Sequence, residues 1–396
     1  MNNFYKSPFY FYLFLVLFSV VFPVKGQVTE NTKKVINLPD IAGYYTLKCD
    51  FHMHTVFSDG HVWPTFRVKE AIRDGLDAIS ITEHIDYEGF PDELKKDYNK
   101  TYEIASAAAK NKNLIVIPGV EISPRVPPYH HNAIFVTDAN KFPSDYMKSG
   151  KKQFVMKADL TLNQLMAPFN EAKKQEAFVF YNHPGYSWWD KKDTTVFTAI
   201  HHDLLQKNIL AGMEVVNSGV YNILAHRLAM KYNLTLLCNT DEHYDLYPRY
   251  AATHRPMTLV FAKEKSTEAI KEALIVKRTA LYFDDFIIAR QKEAEAFFKA
   301  AVQVTATRKN RKGEPILEIK LYNNSDLPFK IIAKANYDIE RFPLGQTVLT
   351  PNDTTTLILK AMWTYPKETP LKMEVTNILV SPDEALKTQF NLLTGE

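Results

Sequence analysis

Between Tyr45 and about Phe283 the chain alternates short β-branched runs with amphipathic ones. Leu47–His54, Asp77–Glu83, Leu114–Glu121, Asn132–Thr137, Ala177–His183, Gly212–Asn217, Leu234–Thr240 and Met257–Ala262 read as strands. Pro64–Arg73, Asp92–Lys110 and Leu160–Gln175 carry helical spacing. The first of them opens with proline and has Gly75 just past its end. Strand–helix alternation predicts parallel strands joined by crossover helices. Seven or eight such units favour a closed α/β barrel over an open sheet.

Past Phe283 the rhythm changes. Residues 284–301 read as a linking helix. From Val302 to the end, runs such as ILEIKLYN, FKIIAKANY, TTTLILKAMW and LKMEVTNILV are separated by Gly, Pro, Asn and Asp. That pattern predicts a small antiparallel β-sandwich over 302–396. It contains no histidine and no dense cluster of acids, so it is read as a packing or interaction domain, with envelope association one role open to it. At the other end, residues 1–26 read as a secretory signal: Lys6, an uncharged run over Phe9–Phe22, then Pro23 and Gly26 before Gln27. As a helix that apolar run would reach about 21 Å, short of the roughly 30 Å hydrocarbon core, so cleavage is favoured over anchoring. No later segment is long and apolar enough to span. The mature protein is expected to be exported, either periplasmic or secreted.

Composition changes this picture little. The 396 residues are 46% hydrophobic and 23% charged, an ordinary globular balance. Formal charge is 48 − 45 = +3, or +1 once Lys6 and Lys25 leave with the leader. No basic block stands out, so nucleic-acid binding by bulk electrostatics is unsupported. Two cysteines, Cys49 and Cys238, exclude a disulfide-rich scaffold and a four-thiolate zinc site. Both are expected to be buried free thiols; a bridge is the alternative if their strands pair.

The twelve histidines matter by placement. His52 and His54 lie two apart at the end of one strand and project into one space. Asp241 and His243 repeat the spacing near the end of the region. Glu83-His84, Glu121, the His130-His131 pair and Asn182-His183-Pro184-Gly185 mark other strand ends, and Ser58-Asp59-Gly60 follows the first. In a parallel barrel such ends meet at one rim. Imidazoles and carboxylates crowded there repel and lose solvation unless cations compensate. Nitrogen and oxygen donors without thiolate suit Zn, Mn or Fe.

The order HxH–SDG–EH–VE–HH–NHPG–DxH resembles the polymerase and histidinol phosphatase (PHP) superfamily over about 45–283. The resemblance implies a distorted (β/α)7 barrel holding two or three divalent metal ions. It assigns His52, His54 and Asp241 to one ion, with Glu121 bridging. Asp59 and His84 join Glu121 on a second, and His131, His183 and His243 hold a third. His61 is a rival to Asp59 and His130 to His131; His131 is preferred because it directly precedes the apolar run NAIFV. The segments DGHVWP, ITEHIDY, NHPG and HRPMTLVFA, with the C-terminal sandwich, are similar to the exported phosphodiesterase branch of that superfamily. Hydrolysis of a small phosphoester, a diester ahead of a monoester, by a metal-bound hydroxide is the implied activity. A non-catalytic binding protein with a metal-holding barrel is the reading from another class. His243 or His183 is the expected proton donor to the leaving group. Arg125 and Arg255 are candidates for the phosphate. Trp188 and its neighbour Trp189, with Tyr181 and Tyr186 nearby, are candidates for an apolar wall. Asp50, Glu83 and Glu214 are expected, at most, to support ligands.

Overall fold

The computed structural model describes residues 35–393 apart from 96, 147–156, 158–159, 186–194, 343 and 361–366. The leader, Tyr186, Trp188 and Trp189 therefore lie outside the described residues. In the first region the strands are β1 (Tyr45–Asp50), β2 (Ala78–His84), β3 (Ile115–Ile122), β4 (His131–Ile134), β5 (Phe178–Tyr181), β6 (Leu210–Asn217), β7 (Val220–Tyr221), β8 (Thr235–Asn239), β9 (Met257–Ala262), β10 (Thr279–Phe283) and β11 (Phe286–Ala289). The helices are α1 (Pro64–Arg73), α2 (Tyr98–Ala109), α3 (Leu162–Lys174), α4 (Ala199–Gln206), α5 (Ile223–Lys231) and α6 (Thr267–Ile275). Local chemistry sets several boundaries. Pro64 opens α1, Thr161 and Gln164 form a capping box on α3, and Asn222 caps α5 through the amides of Leu224 and Ala225. The start of α2 falls six residues later than the sequence predicts. Pro91 precedes it in a turn-rich stretch, and Asp97 takes the N-cap position.

Strand pairing departs from the all-parallel expectation. β1, β2 and β3 are parallel neighbours, as are β5, β6 and β8. β4 is antiparallel to both β3 and β5. The connection from β3 to β4 is eight residues with three prolines, too short for a crossover helix, so the chain doubles back. β9 is antiparallel to β1, and β10 to β9. The ladder does not close between β8 and β9. There Thr258 bridges instead, its hydroxyl accepting from the Cys238 amide at 2.9 Å and donating to the Cys238 carbonyl at 2.8 Å. At the rim, the extended chain after β1 meets the chain after β8 through a Met53–Glu242 bridge.

The C-terminal strands are β12 (Val302–Arg311), β13 (Glu314–Asn323), β14 (Phe329–Lys334), β15 (Asp338–Glu340), β16 (Gln346–Leu349), β17 (Thr354–Lys360), β18 (Glu368–Ser381) and β19 (Glu384–Leu393). They form two antiparallel layers, β12-β13-β17-β15 and β16-β14-β18-β19, with the alternating burial the sequence pattern predicts. The linker differs from expectation. Residues 286–289 form β11, and α7 (Gln291–Ala301) begins only after it. β11 pairs with β10 on one side and runs parallel to β18 on the other, so one hydrogen-bonded sheet crosses from the barrel strands into the sandwich. One apolar core runs through the same junction, from Val68 and Ile79 through Phe297 and Phe298 to Leu317 and Leu357. Asn377 seals it: its amide donates to the carbonyls of Asp285 (2.7 Å) and Pro328 (2.8 Å) and accepts from the Lys330 amide (2.9 Å).

Cys49 and Cys238 are buried free thiols in two different apolar clusters. No helix among the described residues is long and apolar enough to cross a membrane.

The shared sheet predicts that both parts unfold together. Thermal unfolding is expected to show one transition, and Asn377→Ala to lower stability by about 2–4 kcal/mol by stranding buried polar groups. Two resolved transitions in differential scanning calorimetry would contradict a common sheet.

Candidate metal centre

Backbone hydrogen bonds bring together residues some 190 positions apart. The Asp241 amide donates to the His52 carbonyl at 2.8 Å, and the His54 amide to the Glu242 carbonyl at 3.0 Å. His52 and His54 thus stand beside Asp241. Asp241 (φ +54°) and His183 (φ +24°) both have positive φ, where a residue with a Cβ is strained. His84 and Glu121 are direct partners on β2 and β3. Asp59 sits on a turn after β1, held by Glu83, which accepts from the Thr55 amide (3.2 Å) and hydroxyl and from the Ser58 hydroxyl (2.5 Å). Gly60 closes that turn against the ligand backbone. A Cβ there would lie 2.6 Å from the carbonyl carbon of His54 and the amide nitrogen of Thr55.

The donor atoms crowd into one space. Nε2 of His52 lies 3.1 Å from Asp241 Oδ1 and 3.5 Å from Glu121 Oε2; for Nε2 of His54 the distances are 3.2 and 3.3 Å. His84 Nδ1 and His130 Nδ1 lie 3.0 and 2.9 Å from Glu121 oxygens. His183 Nε2 is 3.6 Å from Glu121 and 3.7 Å from Asp241, and His243 Nε2 is 3.2 Å from Asp59. Four overlapping sets of potential ligands result: His54-Asp59-His84-His243, His52-His54-Asp241, His52-Glu121-His183 and His84-Glu121-His130. Nε2 of His52 and His54 and Oε2 of Glu121 are buried with no hydrogen-bond partner among the described residues. Orphaned lone pairs of this kind, aimed at a common point, fit divalent cations with nitrogen and oxygen preference.

Charge tells the same story. Burial disfavours the imidazolium of His52, yet Asp241, Glu214 and Glu121 outweigh it and raise its pKa well above the usual value. His84 is pushed up to about 10, against burial, by Glu121 and Asp59. Burial also disfavours charge on Asp59, but His84, His243 and His54 hold its carboxyl below the ordinary range. Without cations the imidazoles must supply the positive charge these acids require. Divalent ions held by these donors would supply it instead, in place of the protons.

An outer ring fixes the donors. Glu214 accepts from Nδ1 of His52 at 2.9 Å, which leaves Nε2 as the lone pair facing the cluster. The same carboxylate holds Asn239, Asn217 and the His183 amide, each at 2.8–2.9 Å. Arg67, buried on α1, donates to the carbonyls of His54 (3.0 Å), Glu242 (2.8 Å) and Tyr244 (2.7 Å), clipping the two ligand-bearing segments together. The sequence reading missed Arg67, since a charged residue on an amphipathic helix carries no mark of burial. It gave Glu214 too little weight, although its place at the end of an apolar strand was a usable signal.

Eight expected ligands converge: His52, His54, Asp59, His84, Glu121, His183, Asp241 and His243. His131 does not. Its ring stacks on Tyr181 (4.9 Å between centroids) and meets Phe169 edge-on (5.1 Å). His130 stands at the cluster in its place. The physical reason is alternation along β4, which starts at the rim: Asn132 turns inward to the Phe51 carbonyl and the Thr82 hydroxyl, His130 two residues earlier shares that side, and His131 between them takes the other side, opposite Tyr181. His61 stacks on Tyr244 (4.3 Å) and belongs to none of the four sets. Arg255 is not available to a phosphate, being buried and ion-paired with Asp50 and Asp74. Tyr181 is buried too. Arg125 does line the cleft over the cluster, a space of about 1060 Å³ shared with Asp59, His183, Asp241 and His243. Those four are the accessible side of the centre, with side chains 14–26% exposed against 0–1% for His52, His54 and Glu121.

Comparison with known proteins agrees with this geometry. A family model described as PHP domain matches residues 50–275, and one described as Ig-like domain matches 302–391. The crystal structure of a two-domain protein from Bacteroides vulgatus, described as containing a predicted PHP-like metal-dependent phosphoesterase, superposes with a TM-score of 0.77. It is 36% identical, and the match covers 91% of this chain and 99% of that one. An uncharacterised Methanocaldococcus jannaschii protein is 27% identical over 207 residues, covering 50% of this chain and 82% of that protein.

Two substitutions separate the neighbouring histidines. His130→Ala is expected to lose about one metal equivalent by elemental analysis, while His131→Phe keeps the full content; the reverse pattern would restore His131 as the ligand. Glu214→Gln, which loosens His52 without removing a donor, is expected to weaken metal affinity about 10–100-fold in a chelator competition.

Proposed function

Since the chain belongs to the PHP domain family, we propose that it is a metal-dependent phosphoesterase that acts on phosphodiesters after export. The observation that carries this reading is the one-sided exposure of the donor cluster: a buried floor of His52, His54 and Glu121, and an open side of Asp59, His183, Asp241 and His243 facing the cleft. Held by the four donor sets, divalent ions would lower the pKa of a coordinated water and neutralise charge on phosphoryl oxygens. The protein's own part is positioning and proton handling. Glu214 and Arg67 keep the donors in register from outside. His243, whose Nδ1 lies 2.9 Å from the Asp241 carbonyl, and His183 stand on the open side, where whichever is not committed to an ion hands a proton to the leaving alkoxide. No serine or cysteine nucleophile is required.

Preference for diesters is supported by the likeness of the segments DGHVWP, ITEHIDY, NHPG and HRPMTLVFA, with the C-terminal domain, to the exported phosphodiesterase branch. Among the described residues lining the cleft the cations are Arg125 and Arg249, and Arg249 already donates to the Ser218 carbonyl at 2.7 Å. Beside any bound divalent ions, these arginines would be the groups to meet a phosphoryl oxygen. Export is supported by the apolar leader alone. An Ig-like domain that is not the seat of the chemistry is consistent with attachment to the envelope.

Purified protein assayed with bis(p-nitrophenyl) phosphate and p-nitrophenyl phosphate, before and after chelation, tests the activity. The diester is expected to turn over faster, with loss on chelation and recovery on adding Zn or Mn. Faster monoester turnover would replace the diesterase reading with a phosphatase, and no chelator-sensitive turnover of either would leave a metal-holding binding protein.

A further inference from the structure

The cleft extends beyond the donor cluster. Part of its wall is built by β7 and the first turn of α5, which present Val220, Tyr221, Ile223 and Leu224 to the same space as His183, Asp241 and His243. Three of these are exposed apolar side chains: Val220 (67%), Leu224 (40%) and Ile223 (39%). Tyr244, also in the lining, is 60% exposed and stacked on His61. Val220, Ile223, Leu224 and Tyr244 belong to none of the apolar clusters formed by the described residues. The buried face of α5 is made by Ala225, His226 and Ala229, and α5 begins with Ile223 and Leu224 where the dipole would favour acids.

This wall is held rigid against the catalytic side. Ser218 and Gly219, both at positive φ, turn the chain so that Val220 pairs with Asn217 and Tyr221 with Val216. Asn222 then does two things at once. Its oxygen caps α5, and its amide nitrogen donates to the Pro184 carbonyl (2.5 Å) and the Thr195 hydroxyl (3.0 Å). Pro184 directly follows His183, so the apolar wall and a cluster histidine are fastened through one side chain. A fixed apolar surface continuous with a charged centre is the arrangement of a site for an amphiphile, polar at one end.

We propose that Val220, Ile223 and Leu224 form a subsite for the alcohol portion of the substrate, and that the site takes phosphoesters of alcohols carrying a sizeable apolar group. This inference rests on the phosphoesterase reading for what occupies the donor end. Each fully buried methylene is worth about fourfold in affinity, and a half-covered one about twofold. An alkyl group lying along an open wall is therefore expected to gain roughly 10–50-fold over methyl.

Calorimetric titration of the metal-loaded full chain with methyl-, phenyl- and hexylphosphonate tests this. Hexylphosphonate is expected to bind roughly 10–50-fold tighter than methylphosphonate. The double substitution Val220→Ser/Leu224→Ser is expected to cut that ratio to under about threefold, whereas Ile275→Ser/Val276→Ser, at exposed apolar positions on and just after α6, leaves it in place. The phenyl arm separates a ring from a chain as the preferred group. Equal affinity for methyl- and hexylphosphonate, or a ratio unmoved by the Val220/Leu224 change, overturns the subsite. Turnover of methyl p-nitrophenyl phosphate keeps the two readings apart. Chelator-sensitive hydrolysis with no chain-length effect sinks the subsite alone. A chain-length effect on binding with no hydrolysis of any ester sinks the phosphoesterase reading and leaves the amphiphile site standing.

Discussion

One buried carboxylate, that of Glu121, stands within 3.6 Å of imidazole nitrogens from His52, His54, His84, His130 and His183. An arrangement of this kind is unstable by itself. Five neutral imidazoles leave the acid uncompensated, and five charged ones repel each other in a place water barely reaches. Cations between the donors would resolve the conflict, and the surrounding structure holds these groups where such cations would need them. Strands β2 and β3 are in register so that His84 faces Glu121. The chain after β1 is tied to the chain after β8 so that two histidines meet Asp241.

The supports are themselves charged and buried, which explains their completeness. Arg67 has three carbonyls and Glu70 as partners. Asp50, beneath the rim, accepts from the amides of His52 and Thr240, from the Thr240 hydroxyl and from Arg255. Removing one partner from such a group leaves an unpaired charge or a stranded dipole, costing far more than a surface contact. Arg255 illustrates how position changes meaning. The sequence His254-Arg255 beside a strand looks like a phosphate clamp, but the fold places it under the donors as a structural counter-ion.

Much of the centre was legible because its residues mark strand ends, and strand ends in this class of fold meet. The HxH pair, His84, Glu121 and the Asp241–His243 pair needed only alternation and order. The differences come from which face a residue takes and from distant pairing. The periodicity of residues 132–137 identifies a strand but not which of its faces turns inward, and that face decides between His130 and His131. The same limit applies to the linker. The pattern of residues 284–301 predicts one helix, whereas a two-residue turn at Asp284-Asp285 first folds β11 back on β10. Its neighbour β18 lies about 90 residues further on, and no local pattern announces so distant a pairing.

The left-handed backbone at Asp241 and His183 has a consequence for which ions the centre accepts. Each strained residue is held by neighbours that do not yield easily: Asp241 by the His52 carbonyl, His183 by the Glu214 carboxylate. The donors so placed are six imidazoles and three carboxylates. Calcium prefers six to eight oxygens at about 2.3–2.6 Å and adapts to flexible cages, and it would find here mostly nitrogens at fixed separations. A hard cation of that kind would be poorly matched to these donors, whereas a borderline metal would find the imidazoles it prefers.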